Sequence, residues 1–379
     1  MELKLTLFSI VGFLVLGIVL VTSLAWLLAI NRYGSLSAAL TAFPVLPDRT
    51  GVLFATSIIA SALAVPCQRL VMKSRKPRRA VFVLWMLMSP VLLAADIGSV
   101  TLSAPIKLTA EYQANPLGLG VPRPRLGWQL AFAERGARQI AYQIQAAASS
   151  DELKLGGPLL WDSTRVESDQ SVLVMYGGPA LGPARRVYWR VRAWDEHDTA
   201  SLWSEPANFE TGLLRASDWR AQWITPVLNE HPSNSEPAPM LRGTFRIDRP
   251  IREARLYITS LGLYAARLNG RDVGDQLLAP GWTDYDKRIE YQTYDVINFL
   301  RTGENVLGVT LADGWYRGFL GFDGGRNMYG QRLALLAELR VTLGDGSVQV
   351  VETDGSWKSS TGPILTADIY NGETYDARL

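Results

Sequence analysis

The chain has 379 residues, of which 48% are hydrophobic and 20% charged, with a formal net charge of +2, one cysteine and two histidines. That balance gives no electrostatic footprint for nucleic acid, because the one dense basic run, Arg69 to Arg79, lies between two apolar segments and reads as a topology signal. A lone Cys67, with only His197 and His231, excludes a disulfide framework and argues against thiolate or histidine metal centres, so no metal or cofactor is expected and any chemistry falls to carboxylates and aromatics.

The amino-terminal region is apolar. Leu5 to Ile30 carries no charge and exceeds the roughly 20 residues that cross a bilayer's hydrocarbon core, so it reads as a transmembrane helix closed by Asn31 and Arg32. Gly51 to Pro66 is shorter and fits a second span, a re-entrant piece or an apolar segment. Met72 to Arg79, followed by apolar Ala80 to Ala95, has the basic, apolar and small-residue parts of a signal peptide. Two arrangements are open: residues 1–71 as an extension upstream of a true start at Met72, or three retained apolar segments. Both place residues 105–379 outside the cytoplasm.

From Ile106 the pattern changes to short strands. Arg125 to Leu130, Ile140 to Ala146 and Ser171 to Met175 read as strands; Val187, Trp189, Val191 and Ala193 line one face of another while Arg190 and Arg192 point outward. Turns at Gly156-Gly157-Pro158 and Gly177-Gly178-Pro179 separate them. About seven short strands in roughly a hundred residues predict a fibronectin type III-like or immunoglobulin-like sandwich over residues 105–216. Asp218 to Ile224 reads as a linking strand and Val227 to Met240, rich in proline, as a surface loop. Over 217–379 the alternation of Ala254, Leu256 and Ile258, the Asn269-Gly270 hairpin turn, and strands at Val306 to Leu311 and Leu333 to Leu343 predict a jelly-roll-like β-sandwich, with a second hairpin at Gly344-Asp-Gly346.

Between two of those strands lies Leu311 to Arg332, a glycine-rich stretch with Trp315, Tyr316, Phe319, Phe322 and Tyr329 beside Asp313, Arg317, Asp323, Arg326 and Asn327. Flat apolar faces next to donors and acceptors suit a sugar, which offers a C–H face and an edge of hydroxyls. A structural loop covering the end of a sandwich fits the same residues. Trp282, like Trp315, suits either sugar stacking or core packing. Asp284 and Asp286 read as a turn-stabilising pair, and Glu373 and Asp376 reach a sugar or brace a neighbouring domain. One acidic side chain in Asp323-Gly-Gly-Arg-Asn327 is too few for calcium.

Longer stretches add a family. Ala141-Tyr-Gln-Ile144, Leu160-Trp-Asp-Ser163, Tyr188-Trp-Arg-Val-Arg192 and Trp203-Ser-Glu-Pro206, then Leu278-Ala-Pro-Gly-Trp-Thr-Asp-Tyr285, Glu290-Tyr-Gln-Thr-Tyr-Asp295, Asp313-Gly-Trp-Tyr-Arg-Gly318 and Asn371-Gly-Glu-Thr-Tyr-Asp-Ala-Arg378, resemble the amino-terminal domains of bacterial α-L-rhamnosidases. The resemblance implies inverting hydrolysis of terminal α-L-rhamnose by two carboxylates set apart to admit a water. In the family both stand in an (α/α)6 barrel that follows these domains. No position here matches those motifs, so no catalytic residue is assigned. Expected partners are a rhamnose-containing glycoside or polysaccharide, the membrane if the apolar segments are retained, and a catalytic barrel in cis or in trans. A membrane-tethered carbohydrate-binding or adhesion protein without hydrolase activity is the alternative. On either reading Trp282, Asp313, Trp315, Tyr316, Arg317, Asn327, Tyr329, Glu373 and Asp376 are the candidate carbohydrate contacts.

Overall fold

A computed structural model describes residues 103–131, 136–228, 231, 233–321 and 325–379. The apolar segments expected at 1–71 and 72–104 therefore lie outside the described residues, except for the last two. Among the described residues no helix is long and apolar enough to cross a membrane.

The first strands are β1 (Ile106–Ala110), β2 (Arg125–Gln129), β3 (Gln139–Ala147), β4 (Trp161–Asp162), β5 (Val166–Glu167), β6 (Val174–Met175), β7 (Arg186–Asp195) and β8 (Ala207–Glu210). They form a three-stranded sheet ordered β1-β2-β6 and a second sheet ordered β4-β3-β7-β8, with β5 also on β3. Leu126, Trp128 and Val174 from one sheet meet Ile144, Val187, Trp189, Val191 and Phe209 from the other in a single core. The expected alternation in β7 is observed: Val187, Trp189, Val191 and Ala193 are buried, each with no exposed surface. A short helix, α1 (Ser150–Leu155), starts in a reciprocal capping box between Ser149 and Glu152 and ends on Gly156 at φ 72°.

Two strand expectations change. The run at Ser171 to Met175 shortens to β6, because Ser171 gives its carbonyl to Trp128 N–H from an irregular segment. Asp218 to Ile224 is not a strand. A 3-10 turn covers Ala216–Asp218, and the N–H groups of Arg220 and Ala221 donate to the Glu338 carboxylate at 2.5 and 3.1 Å instead of to a ladder. Ile224 makes one bridge, to Leu335.

The remaining strands are β9 (Met240–Ile247), β10 (Ile251–Leu261), β11 (Leu263–Leu268), β12 (Arg271–Asp272), β13 (Gln292–Asp295), β14 (Gly303–Ala312), β15 (Ala334–Leu343), β16 (Val348–Glu352), β17 (Lys358–Ser360), β18 (Ile364–Asp368) and β19 (Gly372–Tyr375), with a helical turn α2 (Gly314–Arg317) after β14. Sheets ordered β13-β10-β15-β16 and β12-β11-β14-β9-β17 face one another. Leu256, Ile258, Leu335, Leu339 and Val341 of the first pack on Leu241, Leu268, Leu307, Val309 and Leu311 of the second. Asn269 and Gly270, at φ 54° and 80°, make the expected β11–β12 turn. The hairpin of β18 and β19 pairs with neither large sheet.

The two sandwiches share an ionic joint centred on a buried pair. Arg255 of β10, 6% exposed, donates to Glu210 of β8 at 3.0 Å, and Arg186 of β7 reaches both Glu210 and Glu253. Burial pushes the Glu210 carboxyl up from its usual range despite the Arg186 charge. Beside this network Trp219 meets the edges of Tyr257 and Tyr291, and the Tyr291 hydroxyl donates to Leu213 O at 3.2 Å.

Candidate functional site

The stretch expected to be a long loop from Leu311 to Arg332 is more ordered than its composition suggests. β14 carries through Ala312, Asp313 follows in helical geometry, and α2 makes one turn before Gly318. Gly314 is required at the start of that turn, since its φ is 55° and a Cβ there would stand 2.5 Å from Leu263 Cγ. Phe322 and Asp323 lie outside the described residues.

Asp313 and Arg317, expected as ligand contacts, point inward and are 3% and 2% exposed. Their i, i+4 spacing on the helical turn brings Asp313 Oδ1 to 2.7 Å from Arg317 Nε, while Asp313 Oδ2 takes Arg326 Nη2 at 2.8 Å and the Ser235 hydroxyl at 3.3 Å. Arg317 also reaches Gln331 O at 3.3 Å, and Asn327 N–H donates to Arg317 O at 3.1 Å. These charges brace the segment from beneath. A carboxylate that accepts from two buried guanidiniums holds its side chains in one geometry.

Above this brace the aromatics converge. Trp282 and Trp315 stack almost parallel, with ring centroids 5.9 Å apart and planes 6° apart. Trp282 Nε1 donates to the Tyr329 hydroxyl at 3.3 Å. Tyr285 lies 5.1 Å from Tyr329 and 5.3 Å from Tyr316, and its hydroxyl donates to Gly281 O at 2.9 Å. Burial pushes the Tyr285 hydroxyl up to about 12, whereas Trp282 remains 56% exposed. The result is an aromatic shelf with a buried tyrosine base and one open indole face.

Of the sequence candidates, Trp282, Trp315, Tyr316 and Tyr329 meet in this shelf, and Asp313, Arg317 and Asn327 lie under or behind it. Glu373 is exposed on β19. The Asp376 carboxylate is held by Arg378 at 2.6 Å. Asp284 pairs with Lys287 at 2.7 Å, which lowers its pKa, in a turn where its carbonyl takes the N–H groups of Lys287 and Arg288. Two contributors were absent from the sequence list. Tyr285 forms the base of the shelf. Asp368 accepts Phe319 N–H at 2.9 Å through one oxygen, and Tyr370 N–H, Asn371 N–H and the Asn371 amide through the other, which fastens the β18–β19 hairpin to the end of α2. The Asp-x-x-Asn spacing was the local sign of that turn; its reach to residue 319 had none. Among the described residues no group of three or more His, Cys, Asp or Glu side chains is placed to hold a metal ion.

The described residues thus form two β-sandwiches, the second carrying an aromatic shelf braced by buried ions. Residues 105–215 match the Rha78A-like N-terminal immunoglobulin domain, and residues 249–379 match the α-L-rhamnosidase N-terminal domain. These two regions are thus similar to the amino-terminal domains of α-L-rhamnosidases. It is 40% identical over 294 residues to an α-L-rhamnosidase of Formosa agariphila, covering 76% of this chain and 32% of that protein. With one from Streptomyces avermitilis it shares 31% identity, covering 71% and 42%. Among solved structures, α-L-rhamnosidase from Aspergillus terreus superposes at a TM-score of 0.67 and 39% identity, covering 73% of this chain and 31% of that one. The Streptomyces avermitilis enzyme complexed with L-rhamnose gives 0.68 and 30%, covering 73% and 43%. The chain thus spans between about a third and two fifths of the length of these relatives.

Proposed function

We propose that residues 105–379 are the exported, non-catalytic amino-terminal part of an α-L-rhamnosidase and help to position a rhamnose-containing glycoside. On this reading residues 105–216 form a fibronectin type III-like sandwich, 217–379 a jelly-roll-like one, 72–104 an export or membrane segment and 1–71 an apolar extension. The observation that carries the proposal is the Trp282–Trp315 stack, whose outer indole is half-exposed over a rigid base. A deoxysugar's methyl group and C–H face suit that surface. Calorimetric titration of the full chain with L-rhamnose tests it: saturable heat at millimolar sugar that is lost in Trp282→Ala is expected, and no heat sinks the sugar role. The chain alone should not release p-nitrophenol from the α-L-rhamnoside.

A second reading is favoured by the apolar side chains around the shelf. Leu277 is 91% exposed, Leu278 51% and Met328 63%, more than a sugar needs. They suit docking of a catalytic domain. Trp315→Ala in a longer relative separates the two, because a change confined to KM indicates sugar contact and loss of thermal stability indicates docking.

A further inference from the structure

The chain has two Asn-Gly pairs, Asn269-Gly270 and Asn371-Gly372, and the fold holds them differently. An asparagine followed by glycine is open to attack on its side-chain amide by the next residue's backbone nitrogen, because glycine has no Cβ to obstruct the approach. Asn269, in the β11–β12 turn, is half-buried and locked. Its Nδ2 donates to Phe299 O at 2.9 Å and to Asn305 Oδ1 at 2.8 Å, and its Oδ1 accepts Val306 N–H at 2.9 Å. Asn305 has no exposed surface and is itself held by the Arg301 and Gly303 carbonyls. The Asn269 amide cannot swing toward Gly270 without breaking all three of its bonds.

Asn371 is exposed in the turn between β18 and β19, and among the described residues its side chain makes one hydrogen bond, from Nδ2 to Asp368 Oδ1 at 3.1 Å. That bond holds the nitrogen that would leave and spares the carbonyl carbon. Gly372 is exposed as well, and a Cβ there would meet nothing within 4 Å. It sits opposite Asp368 in the last rung of a two-stranded ladder that joins neither large sheet. The end of such a lone hairpin opens at little cost, which brings the Gly372 nitrogen into play.

We propose that Asn371-Gly372 is a self-modification site, at which the asparagine amide converts to an acid and unfastens the β18–β19 hairpin from α2. The Gly372 nitrogen gives its proton to hydroxide and bonds to Asn371 Cγ; the Cγ–Nδ2 bond breaks, and ammonia leaves with a proton from water. Water then opens the cyclic imide. Cleavage at Cγ leaves aspartate, and cleavage at the main-chain carbonyl leaves isoaspartate, whose backbone is one carbon longer. Either product removes the Nδ2 donor from Asp368 and sets a second carboxylate beside it. Asp368 Oδ1 also takes the N–H groups of Tyr370 and Asn371 at 3.0 Å, while Oδ2 takes Phe319 N–H at 2.9 Å. Repulsion between the two carboxylates therefore loosens the tie to the segment that carries Trp315 and Tyr316.

The test is incubation of the folded full chain at mildly alkaline pH in water enriched in heavy oxygen, followed by peptide mass mapping that separates aspartate from isoaspartate. Conversion at Asn371 about tenfold or more faster than at Asn269 is expected, because three hydrogen bonds must break before Asn269 can react. In urea, where both pairs are unfolded, the two rates should converge. Conversion at Asn371 no faster than at Asn269 in the folded chain, or an Asn371 rate that rises in urea as much as the Asn269 rate does, would overturn the site. The release is read by hydrogen exchange in Asn371→Asp, which carries the product's charge: the Phe319 N–H and the amides of 369–375 should exchange several-fold faster than in the parent. Should that variant fail to fold, the aged parent chain supplies the same comparison. Unchanged exchange in either overturns the release.

Discussion

Replacing Gly212 with alanine should prise the two sandwiches apart at their joint. A Cβ at this position would stand 1.8 Å from the Tyr291 hydroxyl, 2.9 Å from its Cζ and 3.0 Å from Gly118 O. The backbone cannot yield freely, because Gly212 N–H donates to Leu119 O at 2.9 Å and Gly212 O accepts Ala184 N–H at 3.0 Å. The ring is confined too, by Trp219 at 5.3 Å and Tyr257 at 6.4 Å. A movement of about 1.5 Å is needed to restore an ordinary contact. Overpacking of this kind costs about 1–3 kcal/mol, and the displaced hydroxyl also forfeits its bond to Leu213 O, worth about 1 kcal/mol. Urea denaturation of Gly212→Ala, Tyr291→Phe and the double variant provides the cycle. Because the single variants lose the same hydrogen bond and the phenylalanine removes the closest clash, the double variant should be more stable than the sum of the singles predicts by at least about 1 kcal/mol. Costs that add to within about 0.5 kcal/mol would refute the reasoning.

Three further perturbations have defined outcomes. Glu338→Ala leaves the Arg220 and Ala221 N–H groups without their carboxylate and removes the ion-pair partner of Arg340, and should lower unfolding free energy by about 3 kcal/mol in the same assay. Asp313→Ala removes the anion between Arg317 and Arg326; a loss of about 3 kcal/mol is expected, with a change in the near-ultraviolet circular dichroism of the Trp282–Trp315 pair, and an unaltered spectrum would show that the ion cluster does not position the stack. Tyr285 ionises near its ordinary value when unfolded and at about 12 when folded, so the folded state retains the proton longer and stability falls as pH rises from about 10 through 12, by roughly 2–3 kcal/mol for this group. Tyr285→Phe should flatten that descent relative to the parent chain, and an identical slope would count against the buried hydroxyl.

The strands were legible where one residue type repeats at the period of the backbone. β7 announced its buried face through Val187, Trp189, Val191 and Ala193, and Asn269-Gly270 announced its turn, because both signals are local. The aromatic half of the shelf was legible in part: Trp315, Tyr316 and Tyr329 crowd one glycine-rich stretch, but Trp282 joins them from 33 positions away. Its polar half could not be placed from the sequence. Asp313 and Arg317 looked like ligand contacts in a loop, and only the helical turn at Gly314–Arg317 reveals that they face each other inside. The Asp368 anchor joins residues 49 positions apart, and Trp203 reaches the β7 arginines through a pairing of 201–204 that no periodicity encodes. Asp218 to Ile224 had the look of a strand, but its donors are taken by a glutamate 117 and 118 positions away.

The Glu210–Arg255 bond has a bearing on how this region can be dissected or exchanged. Its acid comes from β8 and its base from β10, and both are nearly sealed from water. Cutting the chain between them would leave Glu210 with Arg186 and Arg255 with Asp295, but would break the bond across the joint and strip an aromatic neighbour of its cover. The two sandwiches are therefore poor candidates for shuffling as independent cassettes. A graft that transplants one should bring Arg186, Glu210, Gly212, Arg255 and Tyr291 along as a set.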